Sequence, residues 1–237
     1  MEKLWYLRPS SQYRNVGIGD YGTEADQMNL LMDEIVKHLD NCGVSFHRAD
    51  REMDIDEKVA QANSMGADWY FALHSNAGGN GQAWGPIAFH DGSTKDLGEE
   101  IVANLLATGQ KNNRAYNVTD GMSLYEVNSP VGNALLLEVD FHDSEVGVAY
   151  ITGSRSEAAR AIAKAIVATD GKQWTEGSGV GQPSEWARED VEKAVELGLF
   201  VGNGNGDFRW QAPVTREELA AVLMRLNRIL AGEEAQA

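Results

Sequence analysis

The sequence predicts an α/β protein: a mixed, mostly parallel central sheet flanked by helices, with a small C-terminal helix-loop-helix element added. Short apolar strand-like runs alternate with helix-spaced patterns, the order expected of a sheet covered on both faces. Two of those runs, Trp69 to Leu73 and Ala134 to Leu137, are apolar throughout, as strands buried on both faces are. Each ends on an ionisable residue, His74 and Glu138. Carboxyl ends of strands are where open α/β sheets bind ligands. An ionised Glu138 behind a Leu triplet is costly unless it is paired, bound to a metal or kept protonated.

The elements follow in order. Leu4 to Leu7 is the first strand, halted by Pro9, and the polar, Gly-containing segment 10–23 is a loop at its exit. Thr23 caps a helix that starts at Glu24 and keeps helical spacing through Met28, Leu31, Ile35 and Leu39. Val44 to His47 is the second strand, and Asp54 to Met65 is a helix with an acidic start and Gly66 as its stop. Pro86 to His90 is a fourth strand, and Ser93 caps a helix from Lys95 to Lys111. Leu124 to Glu126 reads as a short strand, Leu135 to Phe141 as the last central one. Two closing helices span 143–151 and 157–168.

A Gly/Ser-rich stretch then marks a boundary. The expected organisation is a domain over 1–170, a linker over 171–183 and a helical element over 184–237. In that element Ser184 is a simple cap, and Thr215 with Glu218 forms a capping box for the second helix. Gly202 to Gly206 has too few acidic oxygens for a calcium loop and reads as turn chemistry.

Composition narrows the function classes. The chain has 237 residues, 43% of them hydrophobic, enough for one sizeable domain and a small one. A net charge of −16 argues against nucleic acid and anionic membrane as partners. The lone Cys42 excludes an internal disulfide framework and a Cys-rich zinc site. No apolar run approaches the roughly 18 residues of a membrane span. The N-terminus lacks the apolar core of a signal peptide, so the expectation is a chain that is cytoplasmic until released by lysis or exported by another route.

Glu24, His74 and Glu138 all fall at one edge of this sheet. In order and spacing, PSSQYRN…YGTE, LHSNA and LLLEVDF resemble the zinc-dependent N-acetylmuramoyl-L-alanine amidases of the type-3 family, over roughly residues 1–170. The resemblance implies a phage endolysin- or autolysin-like peptidoglycan hydrolase that cuts the amide between N-acetylmuramic acid and L-alanine. It implies zinc held by His, Glu and His, with Glu24 and His74 matching the second and third ligands and Glu138 matching the catalytic Glu. Such a site leaves a coordination position for water, which the metal acidifies and a nearby Glu deprotonates. Asn76, in LHSNA, is a candidate substrate-binding residue.

The departure from the family lies in the first ligand, since segment 10–23 contains no His. Arg14 stands where similar loops place one, and a guanidinium does not bind zinc. Arg14 is instead a candidate for binding a substrate carboxylate, the alternative being a solvated loop cation. His142 is the candidate replacement ligand, because positions 138, 140 and 142 of an extended strand face one way. His90 is a second candidate; His38 and His47 read as structural, and Asp140 as a partner that orients a histidine.

Residues 184–230 resemble a single S-layer homology repeat through Trp186-Ala187, Ala194 to Gly198, Gly206-Asp207-Phe208 and Val214 to Glu217. That resemblance implies binding to a secondary cell-wall polymer or homo-oligomerisation through this element. Two rival readings of the whole remain: a silent peptidoglycan-binding module on an amidase fold, and a metallopeptidase cutting within the stem peptide.

Overall fold

The computed structural model describes residues 3–175, 187–201, 208, 210 and 214–231. The chain divides into two units, Met1–Thr175 and Glu176–Ala237.

The first unit is built on a six-stranded sheet in the order β2-β1-β3-β6-β4-β5. Its strands are β1 (Trp5–Pro9), β2 (Phe46–Arg48), β3 (Trp69–Asn76), β4 (Ile87–His90), β5 (Val118–Asp120) and β6 (Asn133–Phe141). β1, β2, β3 and β6 run parallel, and β4 meets β6 antiparallel. The sheet is therefore mixed and mostly parallel, as the alternating pattern predicts. The helices are α1 (Glu24–Asn41), α2 (Ile55–Met65), α3 (Lys95–Ala107), α4 (Tyr125–Asn128), α5 (Glu145–Gly153) and α6 (Arg155–Asp170).

Alternation of side chains along each strand divides the interior in two. Trp5, Leu7, Phe71, Leu73, Leu135, Leu137 and Val139 face one side, where Met28, Leu31, Ile35, Ile101, Ile162 and Ile166 of α1, α3 and α6 complete a large apolar core. Each such aliphatic side chain contributes roughly 1.5–3 kcal/mol on burial. The intervening residues Tyr6, Tyr70, Ala72, Ala134 and Leu136 face the other side, against Val59 and Ala62 of α2 and Val127 of α4. That second cluster is smaller, and polar groups finish it.

Local chemistry explains the helix ends. Thr23 accepts from the Asp26 amide at the start of α1, and Asp54 with Glu57 forms a reciprocal capping box on α2. Gly66 ends α2 in a left-handed conformation, φ 65°, that residues with a Cβ rarely adopt. α3 stops at Ala107, short of the expected Lys111, and no side chain caps it; Asp91 instead accepts from the amides of Ser93 and Thr94 just ahead of it.

One expectation is corrected here. Leu124 to Glu126 is not a strand: the extended segment is β5, and Tyr125–Asn128 is a single helical turn. The first unit includes the residues just after α6. Trp174 receives Arg160 and Lys164 over its ring, and the Thr175 amide lies 3.4 Å from Cys42 Sγ.

In the second unit, α7 (Arg188–Glu196) and α8 (Arg216–Leu230) form, with the Thr215–Glu218 capping box in place. Arg225 Nη1 donates to the Leu199 carbonyl at 3.0 Å, and Trp210 stacks on Phe208. Leu219, Leu223 and Leu226 of α8 remain exposed. Ser184 and the Gly202 to Gly206 segment lie outside the described residues.

Candidate active site

The site grows from the exits of β1, β3 and β6, which are neighbours in the sheet. The loop after β1 is pinned by Ser10 N to Leu73 O at 2.9 Å and by Asn29 Nδ2 to Ser10 O at 3.2 Å. It closes as Glu24 N donates to Asn15 O, so α1 starts with the Glu24 carboxylate buried. Asn15 Nδ2 donates to Glu24 Oε2 at 2.9 Å and to Gln12 Oε1 at 2.6 Å. β3 delivers His74, also buried, with Nδ1 2.7 Å from Glu24 Oε1. Gln12 Nε2 lies 3.3 Å from the same ring nitrogen and 3.4 Å from Glu24 Oε1. Glu138 pairs in register with His74 on the adjacent strand. Gln12, His74 and Glu138 line an open pocket of about 730 Å³, along with Glu126 and Tyr125, and Glu24 lies behind His74.

The second ring nitrogen of His74 has its own carboxylate. Nε2 stands 3.0 Å from Glu126 Oε2, while Tyr70 donates its hydroxyl to Glu126 Oε1 at 3.0 Å. Arg8, fully buried in β1, places Nε 2.8 Å from Glu126 Oε1 and Nη1 2.6 Å from His74 Nε2. Neither Nε nor Nη2 of Arg8 has a hydrogen-bond partner, so its link to Glu126 is ionic rather than a directed bond. Lys58 of α2 is also buried, its Nζ without a partner.

Charge sets the protonation states. Burial alone would drive the His74 imidazolium down, but hydrogen bonds to Glu126 and Glu24 outweigh it and lift its pKa to about 9. Burial pushes Glu24 and Glu126 up, and their bonds with His74 reverse that, leaving both below the usual carboxylate range. Glu138 has no such compensation. Burial raises it to about 7, with Glu24 and Glu126 adding and His74 opposing, and its Oε2 is buried without a partner.

His142 is not part of this cluster. Between His74 and Asn76 the pairing register slips: Glu138 faces His74, but Phe141 rather than Asp140 faces Asn76. One extra residue in β6 breaks the same-side parity of 138 and 142. His142 Nδ1 lies 2.9 Å from Ser75 Oγ, which Tyr21 also reaches at 2.7 Å, and the imidazole stacks on Tyr21. Ser75 follows His74 in an extended strand, so this cluster belongs to the helix-covered side. It fits tightly: a Cβ at Gly17 would stand 2.4 Å from the Tyr21 ring. Asp140 accepts from Gln110 and the Gly85 amide, not from a histidine. His90 ends the antiparallel β4, pairs with Leu135 and so opens at the opposite edge. Arg14 is exposed on the loop, and neither it nor Asn76 is among the described pocket-lining residues.

Three contributors escape the sequence reading: Gln12, Arg8 and Glu126. Arg8 carries a legible signal, a charge in a buried strand two positions after Tyr6. Glu126 carries none, because its burial depends on Tyr70, Arg8 and His74.

The donor set partly suits a metal. Glu24 Oε1 and His74 Nδ1 converge, and Gln12, a neutral amide, is the side chain that meets both. Among the described residues no group of three His, Cys, Asp or Glu is arranged to hold a metal. Glu24 and His74, two of the three expected ligands, lie side by side, and His142 lies apart from them.

A buried imidazole thus lies between two carboxylates, beside a glutamate whose Oε2 has no partner, at the exits of neighbouring strands of an α/β sheet. Residues 13–168 match Amidase_3, N-acetylmuramoyl-L-alanine amidase, and the chain belongs to that family of peptidoglycan hydrolases. Residues 181–220 match the S-layer homology domain. The fold is shared with the amidase AmiC2 of Nostoc punctiforme, at TM-score 0.61 and 17% identity over 70% of this chain and 96% of that one. It is shared with the catalytic domain of CwlV from Bacillus (Paenibacillus) polymyxa var. colistinus, at TM-score 0.63 and 14% identity over 73% and 100%. The catalytic domain of the CD27L endolysin targeting Clostridia difficile gives TM-score 0.53 and 17% identity over 71% and 98%. A search of curated proteins by sequence gave no match.

Proposed function

We propose that the first unit cleaves the amide between N-acetylmuramic acid and L-alanine with Glu138 as general base and acid. The observation that carries this reading is Glu138 itself: half-buried, with Oε2 buried and unpartnered, in register with His74, and raised to about 7. A carboxylate at that pKa accepts a proton from attacking water and returns it to the departing amine. The apolar run behind it excludes water from its far side.

Glu24 and His74 would hold zinc at the pocket floor, with Gln12 offering at most a neutral oxygen. Zinc bound there supplies a Lewis acid that polarises the scissile carbonyl and acidifies water. With two strong ligands instead of three, the metal is expected to leave readily to a chelator, rather than to stay tightly bound. Asn15 and Gln12 orient Glu24, keeping its charge directed at His74 Nδ1. Arg14 and Asn76 remain proposed contacts for the muramyl peptide at the loop and the β3 exit.

For the second unit we propose cell-wall attachment, through a secondary polymer or through self-association of the α7–α8 element, which places the protein's work at the wall. No helix among the described residues is long and apolar enough to cross a membrane.

Mass spectrometry of digested peptidoglycan tests the reaction. The expected products are glycan strands ending in a free lactyl carboxyl group and stem peptides with a free L-alanine amine. Cuts within the stem peptide would make this a peptidase, and wall binding without any cleavage would make it a silent module.

A further inference from the structure

We infer that Tyr125 is a specificity-determining residue, whose ring carries the sugar arm of the substrate and so fixes which way a muramyl peptide lies across the pocket. The inference rests on the reading of the pocket as the amidase centre, and it names the wall on which the sugar lies.

Tyr125 is held outward by the residues around it. In the single turn α4, Glu126 and Val127 are buried, 5% and 2% exposed. Tyr70 donates its hydroxyl to Glu126 Oε1 at 3.0 Å, and Val127 joins the apolar cluster on the α2 side of the sheet. Leu124 N donates to Gly121 O at 2.8 Å and closes the chain ahead of the turn. Tyr125, between these anchors, is 47% exposed and lines the same pocket as Glu138. An anchored aromatic at the mouth of such a pocket is a preformed contact surface.

The neighbouring lining residues indicate what it carries. Ile55 and Leu124 extend the apolar surface, and Asp54 and Asp56 stand at the start of α2. The Asp56 carboxylate lies by the Tyr125 hydroxyl. Among the described residues that line the pocket there is no lysine or arginine.

The two arms of the substrate differ in charge. The stem peptide bears carboxylates, which an acidic wall repels. The acetylated sugar is neutral. The C–H face of its ring packs on an aromatic face, and its hydroxyls donate to carboxylate acceptors at the edge. Aromatic ring, apolar flank and acidic acceptors together suit the sugar. The peptide arm then falls to the loop after β1, which lines the pocket with the uncharged Ser11 and Gln12 and carries Arg14.

The test compares two soluble substrates of the full chain: a muramyl peptide, and the same peptide bearing a lactyl group alone in place of the whole sugar. The wild type should favour the sugar-bearing substrate in kcat/KM. Tyr125→Ala should shrink that preference about 3–10-fold, the usual worth of one aromatic contact. Tyr125→Phe keeps the ring and should keep the preference. Where the lactyl substrate is cut too slowly to measure, its inhibition constant set against the KM of the muramyl peptide gives the same comparison. Tyr125 is exposed, so neither change empties the core, and circular dichroism checks each fold. An equal preference in the wild type and folded Tyr125→Ala, or a wild type indifferent to the sugar, overturns the inference while leaving the amidase reading intact. A preference that grows in Tyr125→Ala also overturns it, since the peptide would then lie on this wall. A wild type that cuts neither substrate overturns the amidase reading and this inference with it.

Discussion

The two faces of the central sheet are made by the same strands and do opposite things. On the side of α1, α3 and α6, β1, β3 and β6 present Leu7, Phe71, Leu73, Leu135 and Leu137 to a continuous apolar core. On the side of α2 and α4, the alternate residues start apolar and turn polar toward the strand exits: Tyr6 then Arg8, Ala72 then His74, Leu136 then Glu138. The first face stabilises the fold through burial. The second holds Arg8, Lys58, Glu24, His74, Glu126 and Glu138 in close quarters, where desolvation shifts protonation states and leaves several polar atoms unpartnered. Buried charge of that kind adds little stability, and its presence marks chemistry.

Breaking the apolar face should cost stability most. Leu137 is fully buried between β3 and β4, so Leu137→Ala should destabilise by about 2–5 kcal/mol. Chemical denaturation measures it, and a loss below about 1 kcal/mol would mean that this face is not the principal source of stability.

His142 sharpens the division, since it belongs to the covered side. His142→Ala removes the Ser75 contact and the Tyr21 stack, which should cost about 1–2 kcal/mol. Zinc affinity by chelator competition should stay within about twofold of the wild type, far from the about 10–100-fold loss expected when a partner of a ligand is removed. A loss of that larger size would return His142 to the metal site.

The smallest effect concerns Lys58. Burial, with Arg8 adding, lowers its pKa from 10.5 to about 8. The folded chain therefore releases this proton earlier than the unfolded chain, whose lysine still holds it up to about 10.5. Its contribution to stability accordingly rises as pH climbs through that window. Lys58→Met should flatten the rise and, at pH 7, leave stability unchanged or slightly higher. Equal slopes in the two proteins above pH 8 would place Lys58 in a more solvated setting.

Much of this comparison is legible in the sequence, and the rest fails for identifiable reasons. Strand and helix positions follow from period-2 and period-3.6 patterns, so β1, β3, β6, α1, α2 and α6 fall within a few residues of expectation. Glu24, His74 and Glu138 are readable because Glu24 opens α1 and the other two directly follow apolar runs in β3 and β6. The extra residue in β6 is invisible in an apolar run, and it carries His142 to the wrong side. Glu126 is missed because four residues of helix give no periodicity, and Leu124-Tyr125-Glu126 reads equally well as a strand. Gln12 lies in the loop where a histidine is expected, and a search for His passes over an amide.

The central claim is that the polar face works through Glu138, and the rate of Glu138→Gln on a soluble muramyl peptide tests it most directly. Folded Glu138→Gln should lose on the order of 10²–10⁴ in rate, the usual worth of a general acid or base. The wild-type rate should rise with pH and level off above about 7, as the Glu138 carboxyl ionises. A folded Glu138→Gln protein that keeps the wild-type rate and pH profile would contradict the account.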